Sequence, residues 1–180
     1  MTKNTIYTSF LLLSILLLPV HANARQAVAI DYLYGFDDIS GLRLAYRPVT
    51  TEIYTDWFGD IKLYWEASIN VWEYGENDTH STNVAIALSP VVVKKITDLN
   101  NKYPLYIEAG IGASLVNDRE FAGKNIGSHY QFEDRLGLLL SLDGADQQQI
   151  ALRYMHYSNG GLNSKNPGLD FLNLSYSYHF

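Results

Sequence analysis

The sequence predicts an all-β fold, an eight-stranded antiparallel transmembrane β-barrel. Three observations carry that expectation. Eight stretches alternate apolar and polar residues with period two, the pattern of strands whose two faces meet different surroundings. The chain holds 14 Tyr, 7 Phe and 3 Trp, an aromatic load that suits the interfacial girdles of such barrels. After the first two dozen residues, no apolar run approaches the length a membrane-spanning helix needs.

The 180 residues are enough for one domain. They open with the pattern of a secretory signal: Lys3, an apolar run at residues 10–20, and Ala22-Asn23-Ala24 as a small-x-small cleavage site. Residues 1–24 are therefore read as a leader and 25–180 as the mature domain. Cleavage removes Lys3 alone among the charged side chains, making the formal charge of −6 one unit more negative. That balance argues against nucleic acid as a partner and offers no polybasic patch for a membrane surface. Cysteine is absent, which rules out disulfides, thiol chemistry and thiolate metal sites.

The strands follow in order. Residues 27–34 place Val28, Ile30, Tyr32 and Tyr34 on one face. After a turn-rich stretch at 37–41, Leu42, Leu44 and Tyr46 alternate against Arg43, Ala45 and Arg47, and a connection is expected over 48–59. A long third strand, 61–72, sets Ile61, Leu63, Trp65, Ala67, Ile69 and Val71 against Lys62, Tyr64, Glu66, Ser68 and Asn70. A polar loop at 75–80 leads to the fourth strand, 82–93, where Pro90 predicts a bulge or a strand end. The fifth, 103–115, has an apolar face from Tyr103 to Leu115, with Glu108, Gly110 and Gly112 opposite. A longer loop occupies 117–128. The sixth strand, 130–142, aligns Phe132, Asp134, Leu136, Leu138, Leu140 and Leu142 on one face. A short turn at 143–146 enters the last hairpin. An even strand count closes the sheet with both termini at one end and no free edge.

That hairpin, residues 150–180, carries the chemistry. Ile150, Leu152, Tyr154, His156 and Ser158 share one face of its first arm. Asp170, Leu172, Leu174, Tyr176, Tyr178 and Phe180 share one face of its second. A hydroxyl, an imidazole and a carboxylate thus continue two apolar faces on neighbouring strands. The loop at 159–168 lets Asp170 sit opposite His156, at the roughly 4.5–5.5 Å of facing residues. A nucleophilic serine needs a base to take its proton and an acid to orient that base. The glycines Gly160, Gly161 and Gly168 permit close backbone approach, and Asn159, Gly161 or Asn166 are candidate oxyanion and substrate-positioning groups. On residues alone, a second reading stays open, in which these are polar residues where a barrel emerges from lipid.

The stretch from His156 through Ser158, Asn159 and Gly161, followed by Asn166-Pro-Gly168-Leu-Asp170 and a terminal Phe180, resembles the PagL family of outer-membrane lipid A 3-O-deacylases. Trp65-Glu66-Ala67, Ser89-Pro90, Glu108-Ala109-Gly110-Ile111-Gly112 and Phe132-Glu133-Asp134-Arg135-Leu136-Gly137 extend the similarity over most of the mature chain. The resemblance implies an outer-membrane barrel with a lipid-facing triad of His156 as base, Ser158 as nucleophile and Asp170 as acid. It implies lipid A of lipopolysaccharide as substrate, hydrolysis of its 3-O-linked hydroxyacyl ester, and no metal or organic cofactor. The family's acid is typically Glu, so the shorter Asp170 departs from the pattern. The Phe180, Tyr178, Tyr176 alternation also resembles the C-terminal signature of bacterial outer-membrane barrels. A chain starting on the periplasmic side then puts the 159–168 loop, and the triad, at the outer leaflet.

Asp134 is a second acid within reach of His156, as an alternative that orients the ring; a local bulge turning it inward is the competing expectation. Glu66, Glu108, Glu133, Arg43 and Arg135 read as an interior ion-pair network. His80 and His129 read as loop or rim residues without metal-ligand spacing, and His179 as lumenal. Trp57, Trp65 and Trp72 read as interfacial or lipid-facing anchors. The rival functions are a non-enzymatic barrel serving adhesion or envelope structure, and a palmitoyl transferase barrel, for which no amphipathic helical segment follows Ala24. Whether two copies pair as a homodimer is left open by the sequence.

Overall fold

Period-two alternation leaves each strand with one apolar and one polar face, and a closed sheet lets the two faces meet lipid and interior separately. The computed structural model describes residues 25–36, 38–75 and 81–180. The expected leader at 1–24 and His80 lie outside these residues. The strands are β1 (Ala27–Gly35), β2 (Ile39–Thr55), β3 (Gly59–Tyr74), β4 (Ser81–Leu99), β5 (Tyr103–Val116), β8 (Tyr130–Ser141), β9 (Gln148–Ser158) and β10 (Leu169–His179), with a short hairpin of β6 (Glu120–Phe121) and β7 (Lys124–Asn125) inside the 117–129 connection. The eight long strands form a closed barrel in the order β1-β10-β9-β8-β5-β4-β3-β2, each pair antiparallel. Closure pairs β1 with β10, so the barrel has no open edge, the condition for strands in a bilayer. The exposed wall is a belt of Leu, Ile, Val and Tyr, among them Ile30, Leu44, Ile86, Ile111, Leu136, Leu152 and Leu174. Such a broad apolar surface belongs in lipid.

The inside is polar at mid-height. Arg43, Arg47, Arg135 and Arg153 face Asp31, Glu66, Glu108 and Glu133, all buried. Glu66 takes Arg43 at 2.6 Å, Arg47 at 2.8 Å and Arg135 at 2.5 Å. Arg43 also bonds Asp31 at 2.9 Å, and Arg153 pairs with Glu108. Four cations against four anions leave this layer formally neutral, as a desolvated ion cluster requires. Asp31, Arg47 and Arg153 join the network beyond the five residues expected.

Toward the loop end the interior becomes apolar, with Leu33, Ile39, Trp72, Phe121, Ile126, Met155, Tyr157, Leu169 and Phe171 in one cluster. Trp72 is fully buried there, which corrects its expected lipid-facing position. Its indole stacks on Phe171 at 5.2 Å and meets Tyr157 edge-on at 4.8 Å. The physical reason is parity: Trp72 shares the inward face of Glu66 and Asn70. Gly41, its cross-strand partner, leaves the room, since a Cβ there would lie 2.9 Å from the indole.

Two further expectations change. The predicted connection at 48–59 is largely strand: β2 runs to Thr55, absorbing Pro48 in a register shift between Tyr46 and Val49. A bulge tolerates the missing N–H, and the Thr, Ile and Tyr residues that follow favour extended backbone. At Pro90 the pairing to β5 skips Ser89 and Pro90 and resumes at Val91 in the same register, while the bulge falls between Lys95 and Thr97.

Candidate functional site on the barrel wall

The β9–β10 hairpin pairs Asp170 with His156 and Leu172 with Tyr154. On the other side of β9, β8 pairs Asp134 with His156 and Phe132 with Ser158. His156 therefore stands between two carboxylates on adjacent strands. Asp170 makes the bond: His156 Nδ1 lies 2.7 Å from its Oδ1. A carboxylate accepts, so Nδ1 carries the proton and Nε2 is left as the basic nitrogen. Asp134 makes no hydrogen bond to His156 among the described residues, and β8 passes through it without a register shift to either neighbour. The bulge that would turn Asp134 inward is absent; it remains half-buried on the outer face.

Both Asp170 and His156 keep about a third of their side chains accessible, 34% and 31%, at the outer wall of the barrel. Ser158 is more enclosed, at 8%. It follows His156 by two residues and so shares its face. No Ser158–His156 hydrogen bond forms among the described residues; such contacts often tighten only when substrate docks.

The interior cluster holds this wall from behind. Tyr157, between His156 and Ser158 in sequence, points inward, donates to Glu133 at 2.7 Å and packs against Trp72. Leu169 and Phe171 flank Asp170 in the same cluster. Alternation thus sets the backbone positions from which the three outward side chains project.

The 159–168 loop is organised by Asn159, which is fully buried. Its amide donates to Ile126 O at 3.1 Å and Lys165 O at 2.8 Å, and its Oδ1 accepts from Gly161 N at 3.1 Å and Asn163 N at 3.3 Å. Its own N–H donates to Asn166 Oδ1 at 2.8 Å. Both amide protons of Asn159 and the Gly161 N–H are thereby committed to the loop. Of the three groups expected to offer an oxyanion donor, Asn166 keeps its Nδ2 unengaged among the described residues, while its Oδ1 accepts from the Asn159 N–H.

The three loop glycines differ in what they do. A Cβ on Gly168 would lie 2.6 Å from His156 Cε1 and 3.4 Å from Nε2, and its φ is +70°, so the imidazole sits directly against this backbone. Gly160 meets the Phe132 ring in the same way, whereas Gly161 faces open space.

Sequence reading missed Tyr154. Its hydroxyl donates to Asp170 Oδ1, the same oxygen that His156 holds. The signal was its place two residues before His156 on one face, diagonal to Asp170, where long side chains reach across strands. Elsewhere, His129 Nδ1 lies 2.9 Å from Val116 O at the rim, and His179 bonds Gln149 inside the barrel at 3.0 Å, as expected. A cavity of about 490 Å³ opens at the opposite, turn end between Arg47, Lys62, Tyr106 and Asp146, and it shares no residue with the hairpin site.

A sequence profile of the family described as lipid A 3-O-deacylase (PagL) matches residues 40–179. Lipid A deacylase PagL of Pseudomonas aeruginosa is 30% identical over 162 residues, covering 87% of this chain and 89% of that protein. Lipid A deacylase PagL of Bordetella bronchiseptica is 49% identical over 75 residues, a match that spans 42% of this chain and 41% of that protein. The crystal structure of the outer membrane enzyme PagL aligns with a TM-score of 0.68 at 25% identity, over 84% of this chain and 98% of that one. The Yersinia pestis outer membrane protein Ail, at 16% identity and a TM-score of 0.50 over 88% of this chain and 100% of that one, shares the barrel fold alone. With a wall-mounted imidazole–carboxylate pair beside Ser158 and a family match across most of its length, the chain belongs to the PagL family of lipid A 3-O-deacylases.

Proposed function

We propose that this protein is an outer-membrane esterase that hydrolyses the 3-O-linked 3-hydroxyacyl ester of lipid A, with Ser158 as nucleophile, His156 as base and Asp170 as the acid that orients it. The observation that carries the reading is the 2.7 Å bond from His156 Nδ1 to Asp170 on the lipid-facing wall, with Ser158 on the same strand face. A lipid substrate that stays in the membrane reaches a wall site by lateral diffusion, and none of the catalytic groups needs to face the lumen.

Ser158 Oγ attacks the ester carbonyl as His156 Nε2 takes its proton. The imidazolium is stabilised by Asp170 through Nδ1–H. The tetrahedral oxyanion is met by the Asn166 amide, a donor whose side chain is anchored through its Oδ1 to the Asn159 N–H. Collapse expels the sugar 3-oxygen, which takes the proton back from His156. Water, deprotonated by the same nitrogen, then attacks the acyl-serine and releases the 3-hydroxy fatty acid, restoring the Ser158 hydroxyl. The chain itself supplies every proton carrier the cycle uses.

A long-chain alkyl fluorophosphonate tests the serine assignment. The folded protein is expected to gain one phosphonyl group, mapped by peptide mass spectrometry to Ser158, with labelling abolished in Ser158→Ala and slowed in His156→Asn. Full hydrolytic activity in a protein whose Ser158 is absent or blocked would remove the serine mechanism.

A further inference from the structure

We infer that Tyr154 is a positioning residue that acts on the reaction through Asp170, its hydroxyl fixing the carboxylate that orients His156. The inference rests on the hydrolase reading above and adds to it a fourth side chain with a defined task.

Tyr154 lies on the exposed face of β9, 45% accessible, in the belt that meets lipid. Its register partner is Leu172, so Asp170 is its diagonal neighbour on β10. The phenol donates to Asp170 Oδ1, and His156 Nδ1 reaches the same oxygen at 2.7 Å. One carboxylate oxygen thus receives two donors from two residues of one strand, spaced two apart. Asp has two side-chain torsions, and Asp170 is a third exposed, so its own packing does not hold it in place. Its backbone is pinned, with Phe36 N donating to Asp170 O at 3.3 Å, which leaves the side chain as the part needing restraint.

The restraint matters because His156 has a choice of partner. Asp134 is its register neighbour on β8, as Asp170 is on β10. A donor committed to Asp170 stabilises its ionised form and holds Oδ1 where Nδ1–H finds it. Tyr154 therefore selects which carboxylate orients the ring, and with it the direction in which Nε2 is presented to Ser158. A phenol in lipid also needs a partner for its own O–H, so the bond by itself is compatible with a merely structural tyrosine. The two roles separate by experiment.

The test is a double-mutant cycle on the full-length protein folded in detergent micelles, using lipid A as substrate and heat-modifiable gel mobility as the folding control. Tyr154→Phe is expected to lower kcat by about ten- to hundredfold, the range of one charge-assisted hydrogen bond, with KM changed by less than about twofold. In the Asp170→Asn background the same substitution is expected to change the residual rate by less than about twofold, because the group it acts on is gone. A second readout is the downfield His156 Nδ1–H proton resonance, present in wild type, absent in Asp170→Asn, and shifted or broadened by exchange in Tyr154→Phe. Wild-type kcat and an unmoved resonance in Tyr154→Phe would overturn the proposal, as would a loss that multiplies in full on top of Asp170→Asn. Persisting activity in Ser158→Ala, run in parallel, would overturn the underlying serine-triad reading, a result separate from any Tyr154 effect.

Discussion

His156 and Asp170 face each other across the β9–β10 ladder, with Nδ1 2.7 Å from Oδ1, while Asp134 occupies the corresponding place on β8 without a bond. The two carboxylates are thus equivalent in register and unequal in chemistry. Asp170→Asn is expected to lower the deacylation rate by about 100-fold or more, since the amide can hold the ring in the wrong tautomer. Asp134→Asn is expected to stay within about twofold of wild type. Rates of hydroxy fatty acid release from purified, folded variants check both; the reverse ranking would move the acid role to Asp134.

Gly168 seats the imidazole edge. Any Cβ there meets His156 Cε1 at 2.6 Å, and the backbone sits at φ +70°. Gly168→Ala is expected to push the ring away from its working position. A displacement on the order of 1 Å in a catalytic group costs about 100-fold in rate, and the left-handed backbone adds about 1–2 kcal/mol of strain. Activity measured beside urea unfolding in lipid vesicles checks this: the rate should fall far more than the stability.

Glu66 is the hub of the interior, bonded to Arg43, Arg47 and Arg135. Removing its charge leaves three buried guanidinium groups sharing too few anions. Glu66→Gln is expected to destabilise the barrel by about 3–5 kcal/mol, the range for a broken buried pair. The urea midpoint should drop, while the rate per folded molecule should stay near wild type, because the network lies inside and the site outside.

Acid sensitivity should trace to the turn end. Burial disfavours the Asp146 charge, but hydrogen bonds from Lys62 and Tyr106 outweigh it and hold the carboxyl below the usual aspartate range. A carboxyl depressed by folding contributes stability that is fully present above the unfolded value of about 3.9 and is lost as pH falls through the lower folded value. Between pH 7 and pH 3, the wild-type urea midpoint should fall more than that of Asp146→Asn. Equal falls would assign the acid sensitivity elsewhere.

Much of this architecture was legible in the residues. Strand parity placed Leu152, His156 and Ser158 together, and the same parity, applied to Trp72, points inward with Glu66 and Asn70. Its residue type suggested lipid; the alternation was the better guide, because a one-residue change of face would break the ladder. The facing of Asp170 and His156 followed from hairpin geometry. Pro48 misled, since a bulge lets a strand continue through a missing N–H. Asn159 and Tyr154 were harder to read. What each does depends on partners brought close by loop closure and by the diagonal of the sheet, which no local pattern encodes. The network's wider membership, Asp31, Arg47 and Arg153, was visible in the inward parity of those residues but needs barrel closure to bring distant strands into contact.

Ser158, on the lipid-facing wall, is proposed to remove the 3-O-linked acyl chain of lipid A. Mass spectrometry of lipid A from cells producing the wild type or Ser158→Ala, each verified as folded by heat-modifiable mobility, tests it most directly. Loss of one 3-hydroxyacyl chain is expected with the wild type, and intact lipid A with Ser158→Ala. Unchanged lipid A with the folded wild type, or equal trimming by Ser158→Ala, would contradict it.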